Sequence, residues 1–99
     1  MRLIEIAHAR AGDKGNIITL SLIAHRYADF PLIEQHVTAD RVAAHFADIL
    51  DGRVMRYELP QLGALNFVLR RKQQYSVTRS LALDTHGKCL SAALLAMEL

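Results

Sequence analysis

Residues His8-Ala9-Arg10-Ala11-Gly12-Asp13-Lys14-Gly15-Asn16 gather most of the chain's reactive chemistry into one short stretch. Gly12 and Gly15 bracket an Asp-Lys pair directly after an apolar run. A glycine-rich turn frees backbone N–H groups to meet an anion, and Arg10 and Lys14 add positive charge. His8, beside them, is a candidate acid or base. Arg10, Asp13, Lys14, Gly15 and Asn16 thus read as a ligand-binding loop for a carboxylate or a phosphate. The Walker phosphate-loop spacing is missing, so the motif names no nucleotide. The plainer alternative is a hairpin whose Asp13 and Asn16 bond the turn backbone while Arg10 and Lys14 stay solvated.

Two further polar residues stand in apolar surroundings. Asn66 lies in Leu62-Gly63-Ala64-Leu65-Asn66-Phe67-Val68-Leu69, and an amide there needs partners. It either bonds a loop backbone or faces His8 or Arg79 across a cleft. Arg79 shares a strand face with Leu81 and Leu83, so it calls for an ion pair with Asp13, Glu58 or a bound anion. The histidines, His8, His25, His36, His45 and His86, include no pair three or four residues apart. With one cysteine besides, no metal and no cofactor is expected.

The elements that must position these groups follow from periodicity. Residues 3–9 read as a strand with Ile4, Ile6, His8 and Arg10 on one face, and 12–16 as the turn that ends it. Residues 17–24 alternate as a second strand, with Ile18, Leu20, Leu22 and Ala24 on one face, and the two strands form a hairpin. Residues 31–36 suit a short helical turn. Thr38 suits an N-cap, followed by a helix whose stripe is Val42, Phe46, Ile49 and Leu50 and which Asp51-Gly52 closes. Residues 53–59 alternate as a strand that Pro60 ends. The segment 62–69 fits helix or strand, and its place after a strand favours a helical return. Residues 77–84 read as a strand and 84–88 as a hairpin-type turn. Residues 89–98 fit a strand or, by their Ala and Met content, a helix.

Bulk properties set bounds. The chain has 99 residues, 52% hydrophobic and 22% charged, with a net charge of +2. These values describe one folded domain over 1–99, not a disordered segment. Arg70-Arg71-Lys72 is the main cationic block, without the basic helix or interleaved aromatics of a nucleic-acid surface. No stretch is long enough to span a bilayer, and the N-terminus does not read as a signal peptide. A lone cysteine suits a reducing compartment, so a cytoplasmic location is expected, with no nucleic-acid or membrane partner.

Three segments in order carry a family resemblance: His8 to Asn16; Arg56-Tyr57-Glu58-Leu59-Pro60-Gln61-Leu62-Gly63-Ala64-Leu65-Asn66-Phe67-Val68-Leu69; and Thr78-Arg79-Ser80-Leu81-Ala82-Leu83-Asp84. Together with Thr38-Ala39-Asp40-Arg41-Val42 and the Ala93 to Glu98 tail, the chain resembles the C-terminal ferredoxin-fold domain of the acyclic terpene utilisation (AtuA) family. The resemblance implies an α+β, ferredoxin-like sandwich: a mainly antiparallel sheet with helices on one face. The fold name implies no iron–sulfur cluster, since one cysteine cannot ligate one. It also implies a link to catabolism of acyclic terpenoids or their CoA thioesters. In that family the domain usually follows a larger one that this chain does not resemble.

Two functions follow as expectations. One is an accessory subunit that docks onto a larger AtuA-like chain or forms a homo-oligomer. The other is a small oligomeric enzyme or binding module for an acyl-CoA or other anionic carboxylate ligand. There His8 would be the acid or base, and Arg10, Asp13, Lys14, Gly15, Asn16, Asn66 and Arg79 the ligand-binding set.

Overall fold

The chain turns back on itself at Gly15-Asn16, and that turn sets the register of everything near the site. The computed structural model describes residues 1–72 and 89–99. Strand β1 (Ala7–Lys14) pairs antiparallel with β2 (Ile17–Ala24), with Lys14 opposite Ile17. Gly15 sits at a φ of 65°, the left-handed conformation that a two-residue hairpin loop demands. After β2 come the short helices α1 (Phe30–His36) and α2 (Ala39–His45), then β3 (Met55–Leu59) and β4 (Ala64–Arg70). Helix α3 (Cys89–Leu95) lies near the C-terminus. The four described strands form one antiparallel sheet in the order β1-β2-β4-β3.

One face of the sheet makes the core. Ile18, Leu20 and Leu22 of β2 and Leu65, Phe67 and Leu69 of β4 are all 2% exposed or less. Phe30 and Ile33 of α1, Val42 of α2 and Leu94 of α3 pack into the same cluster. The helices therefore cover this face, as the α+β expectation requires. The opposite face carries His8, Arg10, Ser21, Asn66 and Tyr57, which this cluster leaves uncovered.

Several local expectations are corrected. Leu3–Glu5 is a 3-10 turn, so the first strand starts at Ala7 and runs through Gly12, Asp13 and Lys14. The turn is Gly15-Asn16 alone. The glycine-rich loop therefore does not exist as a loop: Gly12 is a ladder residue opposite Thr19. A Cβ at Gly12 would lie 2.8 Å from Thr19 Oγ1, so the glycine makes room for the Thr19 side chain rather than making a bend. Segment 62–69 is not a helix. Its residues pair with both β2 and β3, and two flanking strands outweigh local propensity.

Helix α2 is capped as expected: Thr38 Oγ1 accepts from the Arg41 N–H at 3.1 Å. It ends at His45, earlier than Asp51-Gly52, yet Phe46 and Leu50 still reach the core from the turns beyond. The helix alternative for the C-terminal segment is the one adopted over Cys89–Leu95. The strand read at 77–84, the turn at 84–88 and Arg79 lie outside the described residues.

Arg56 ties β3 to α1. Its Nη1 donates to the carbonyls of Glu34 at 2.9 Å and Val37 at 2.8 Å, satisfying acceptors that the helix end leaves open. Its Nη2 donates to Glu58 at 3.1 Å. Glu34 and Glu58 interact through their side chains and shift each other in opposite directions. The Glu58 bond raises the Glu34 pKa, and the bond from Glu34, then Arg56, lowers that of Glu58. Stability from ionised Glu58 is lost as pH falls through its lowered folded value. Stability from protonated Glu34 is lost as pH rises through its raised one. The pair therefore favours the folded state most between those two values, and solvent and salt keep the effect small. Glu34→Gln keeps a donor and removes the upper limb. Urea titrations from about pH 3 to 7 should show a shallower decline on the alkaline side of the optimum. An unchanged profile would mean that the Glu34–Glu58 interaction does not contribute to stability.

Candidate functional site

Register turns the exposed sheet face into rows. Arg10, Ser21, Asn66 and Tyr57 stand opposite one another across β1, β2, β4 and β3. The adjacent row is His8, Ile23, Ala64 and Leu59. One row thus offers a guanidinium, a hydroxyl, an amide and a phenol, and the next offers an imidazole followed by aliphatic groups. His8, Arg10, Ser21, Ile23, Leu59, Leu62, Ala64 and Asn66 line a cavity of about 420 Å³ over these rows.

The cavity has a polar side and an apolar side. Neighbouring strands lie about 4.8 Å apart, so Arg10, Ser21 and Asn66 span a short arc suited to one small anion. Arg10 makes no ion pair among the described residues. Leu62, 68% exposed, stands at the rim on the 3-10 turn Pro60–Leu62. The His8 ring stacks on His25 with centroids 5.4 Å apart and an interplanar angle of 26°, which limits its rotation. Tyr27 donates to the Pro60 carbonyl at 2.6 Å, fastening the segment after β2 to the turn that carries Leu62.

The expected site residues divide into groups. His8, Arg10 and Asn66 are brought together as lining of one cavity, with His8 and Asn66 in adjacent rows on β1 and β4. Asp13 points to the opposite, core-facing side of the sheet. There its Oδ2 accepts from Arg71 Nη2 at 2.7 Å. Lys14 lies four residues beyond Arg10, about 13 Å along the strand, and does not line this cavity. Gly15 forms the hairpin turn, and the Asn16 carbonyl accepts from the Arg71 N–H at 2.7 Å. A single loop uniting Arg10, Asp13, Lys14, Gly15 and Asn16 is thus replaced by a sheet-face site. Strand alternation sends neighbours to opposite faces, so residues adjacent in sequence cannot all meet one ligand.

Ser21, His25 and Tyr57 belong to the site's surroundings and were not singled out as ligand contacts from sequence. The signal for Ser21 was present: counting back from a two-residue turn places it opposite Arg10. The same count places His25, directly after β2, beside the start of β1, whereas Tyr57 depends on pairing through β4, a segment distant in sequence. Among the described residues, no group of three His, Cys, Asp or Glu is placed to hold a metal. None of the described helices is long and apolar enough to cross a membrane.

An antiparallel sheet covered on one side by helices, with a polar and apolar cavity on its other face, defines a small α+β domain of ferredoxin-like type. The chain matches the AtuA ferredoxin-like domain over residues 1–99 and belongs to that family. No match was found among the curated proteins or the solved structures.

Proposed function

We propose that this chain is an accessory domain of an AtuA-like system, linked to acyclic terpenoid or acyl-CoA catabolism, that holds a carboxylate-bearing ligand on its open sheet face. The carrying observation is the cavity, with its donors in one row and aliphatic groups in the next. Arg10 supplies the charge, and Asn66 and Ser21 supply further donors to the carboxylate oxygens. The ligand's hydrocarbon part lies over Ile23, Ala64, Leu59 and Leu62. His8 stands where it can donate or accept a proton next to the bound head group.

Isovalerate and isoamyl alcohol share a carbon skeleton and differ in the head group. Isovalerate should raise the melting temperature of the wild-type chain, and the alcohol should not. Arg10→Ala and Asn66→Ala should each weaken the isovalerate response about tenfold in midpoint concentration. Lys14→Ala should leave it unchanged, because Lys14 is outside the cavity. Equal responses to acid and alcohol, or an undiminished response in Arg10→Ala, would reject the site.

Docking of this face onto a larger AtuA-like chain is a second reading. It is favoured by Met55, Tyr57 and Leu62, which are 46%, 49% and 68% exposed. Self-association face to face is less favourable, since His8, Arg10, Lys14 and Arg70 would meet their own kind. Co-elution of the two purified chains, lost in Tyr57→Glu and Leu62→Glu, is the expected result. Co-elution that survives both substitutions would place the contact elsewhere.

A further inference from the structure

Two adjoining cavities lie at the hairpin end of the molecule, away from the cavity lined by His8, Arg10 and Asn66. One cavity of about 350 Å³ is lined by Asn16, Ile17, Asp51, Arg70 and Arg71. A neighbouring one of about 290 Å³ is lined by Asp51, Gly52, Arg53 and Arg70. They share Asp51 and Arg70, so together they make one elongated groove.

Backbone hydrogen bonds hold its walls. Arg71 N–H donates to the Asn16 carbonyl at 2.7 Å, Asp51 N–H to the Arg70 carbonyl at 2.8 Å, and Lys72 N–H to the Ile49 carbonyl at 2.9 Å. The hairpin turn, the segment before β3 and the end of β4 are thus joined, and the groove is pre-formed rather than a chance meeting of loops.

Its charge is unbalanced. Arg53 and Arg70 make no ion pair among the described residues, although both line the same cavity. Asp51 is the single carboxylate among the described residues of the lining. Arg71, 2% exposed, is already matched by Asp13, yet its Nη1 is buried without a hydrogen-bond partner among the described residues. Two exposed guanidiniums against one carboxylate, with a third beneath, favour an anion of more than one charge. The groove's elongation favours two linked anionic groups over one, and guanidinium forks match phosphate oxygens.

We propose that the groove formed by Asn16, Asp51, Arg53, Arg70 and Arg71 binds the diphosphate group of a small molecule. Arg70 sits between the two halves and contacts both phosphates, Arg53 binds the outer one, and Asp51 limits affinity by repulsion. The proposal stands independently of the carboxylate site, which involves none of these residues.

The test is calorimetric titration of the full chain with inorganic pyrophosphate, inorganic phosphate, ADP and a short single-stranded oligonucleotide at fixed ionic strength. Pyrophosphate should bind at least about tenfold more tightly than phosphate. Arg70→Ala should weaken it about tenfold or more, Arg53→Ala should weaken it less, and Asp51→Asn should strengthen it. Arg10→Ala should change nothing, which separates this site from the carboxylate cavity. ADP binding as well as pyrophosphate would assign the groove to a nucleoside diphosphate, and pyrophosphate alone to a free diphosphate. The proposal is overturned by absence of pyrophosphate binding, by equal binding of phosphate, by loss in Arg10→Ala equal to that in Arg70→Ala, or by tighter binding of the oligonucleotide.

Discussion

Phe67→Ala is expected to cost about 3–5 kcal/mol of folding stability, the largest loss from any single substitution considered for this chain. Phe67 is fully buried at the centre of β4, opposite Leu20 on β2 and Arg56 on β3. Truncation removes most of an aromatic side chain and leaves a hole that a two-sided strand cannot close. A 99-residue domain has about 5–15 kcal/mol in total, so a large share of its stability would go. Val68→Ala, one residue on and facing the open side of the sheet, should cost about 1 kcal/mol or less. Urea denaturation of both variants checks the pair. Comparable losses at the two positions would contradict the alternation and return segment 62–69 to a helical reading.

Asp13→Ala should cost about 2–4 kcal/mol, although Asp13 is on the surface-accessible end of its strand. Arg71 is 2% exposed, and its Nη2 reaches Asp13 Oδ2 at 2.7 Å. Removing the carboxylate strands a buried guanidinium without its counter-charge. The Asp13 side chain keeps 41% of its exposure, so water offsets part of the loss and holds it below the cost of a fully enclosed pair. Arg71→Met removes the charge together with the unpartnered Nη1, and should cost less than Asp13→Ala. The double variant should be more stable than the sum of the single losses implies. Additive losses, or an Asp13→Ala variant within about 0.5 kcal/mol of wild type, would mean that the pair does not matter to folding. The same result would bear on function, because it separates Asp13 from the ligand site in which sequence alone placed it.

The assignment of Asp13 shows where a linear reading stops. His8 to Asn16 is dense in charge, and density suggested one site. The chain in fact distributes that stretch over two sheet faces and a turn. His8 and Arg10 face the open side, Asp13 faces the core side, and Gly15-Asn16 make the turn. The alternation rule was available, but it needed the strand's end, and the glycine at 12 suggested an end well before Lys14. Gly12 serves a close contact with Thr19, a reason that only the pairing partner reveals.

Local patterning by itself determined the β2 strand over Ile17–Ala24, the Thr38 cap, the helix after it and the strand ended by Pro60, while the α+β class followed only from the family resemblance. These rest on side-chain period, capping chemistry and proline geometry, all of which act within a few residues. The motif order likewise pointed to the family. Tertiary structure alone decided that 64–70 is a strand, since its stability comes from partners on β2 and β3 that lie far away in the chain. It also decided which polar residues share a cavity. Asn66 meets the Arg10 row because two register relations, each set by a different turn, place them in line across β2. Arg70 and Arg53 share a groove because the segment before β3 pairs with the end of β4. Contacts of that kind depend on the closing of long loops, and no window of local sequence contains them.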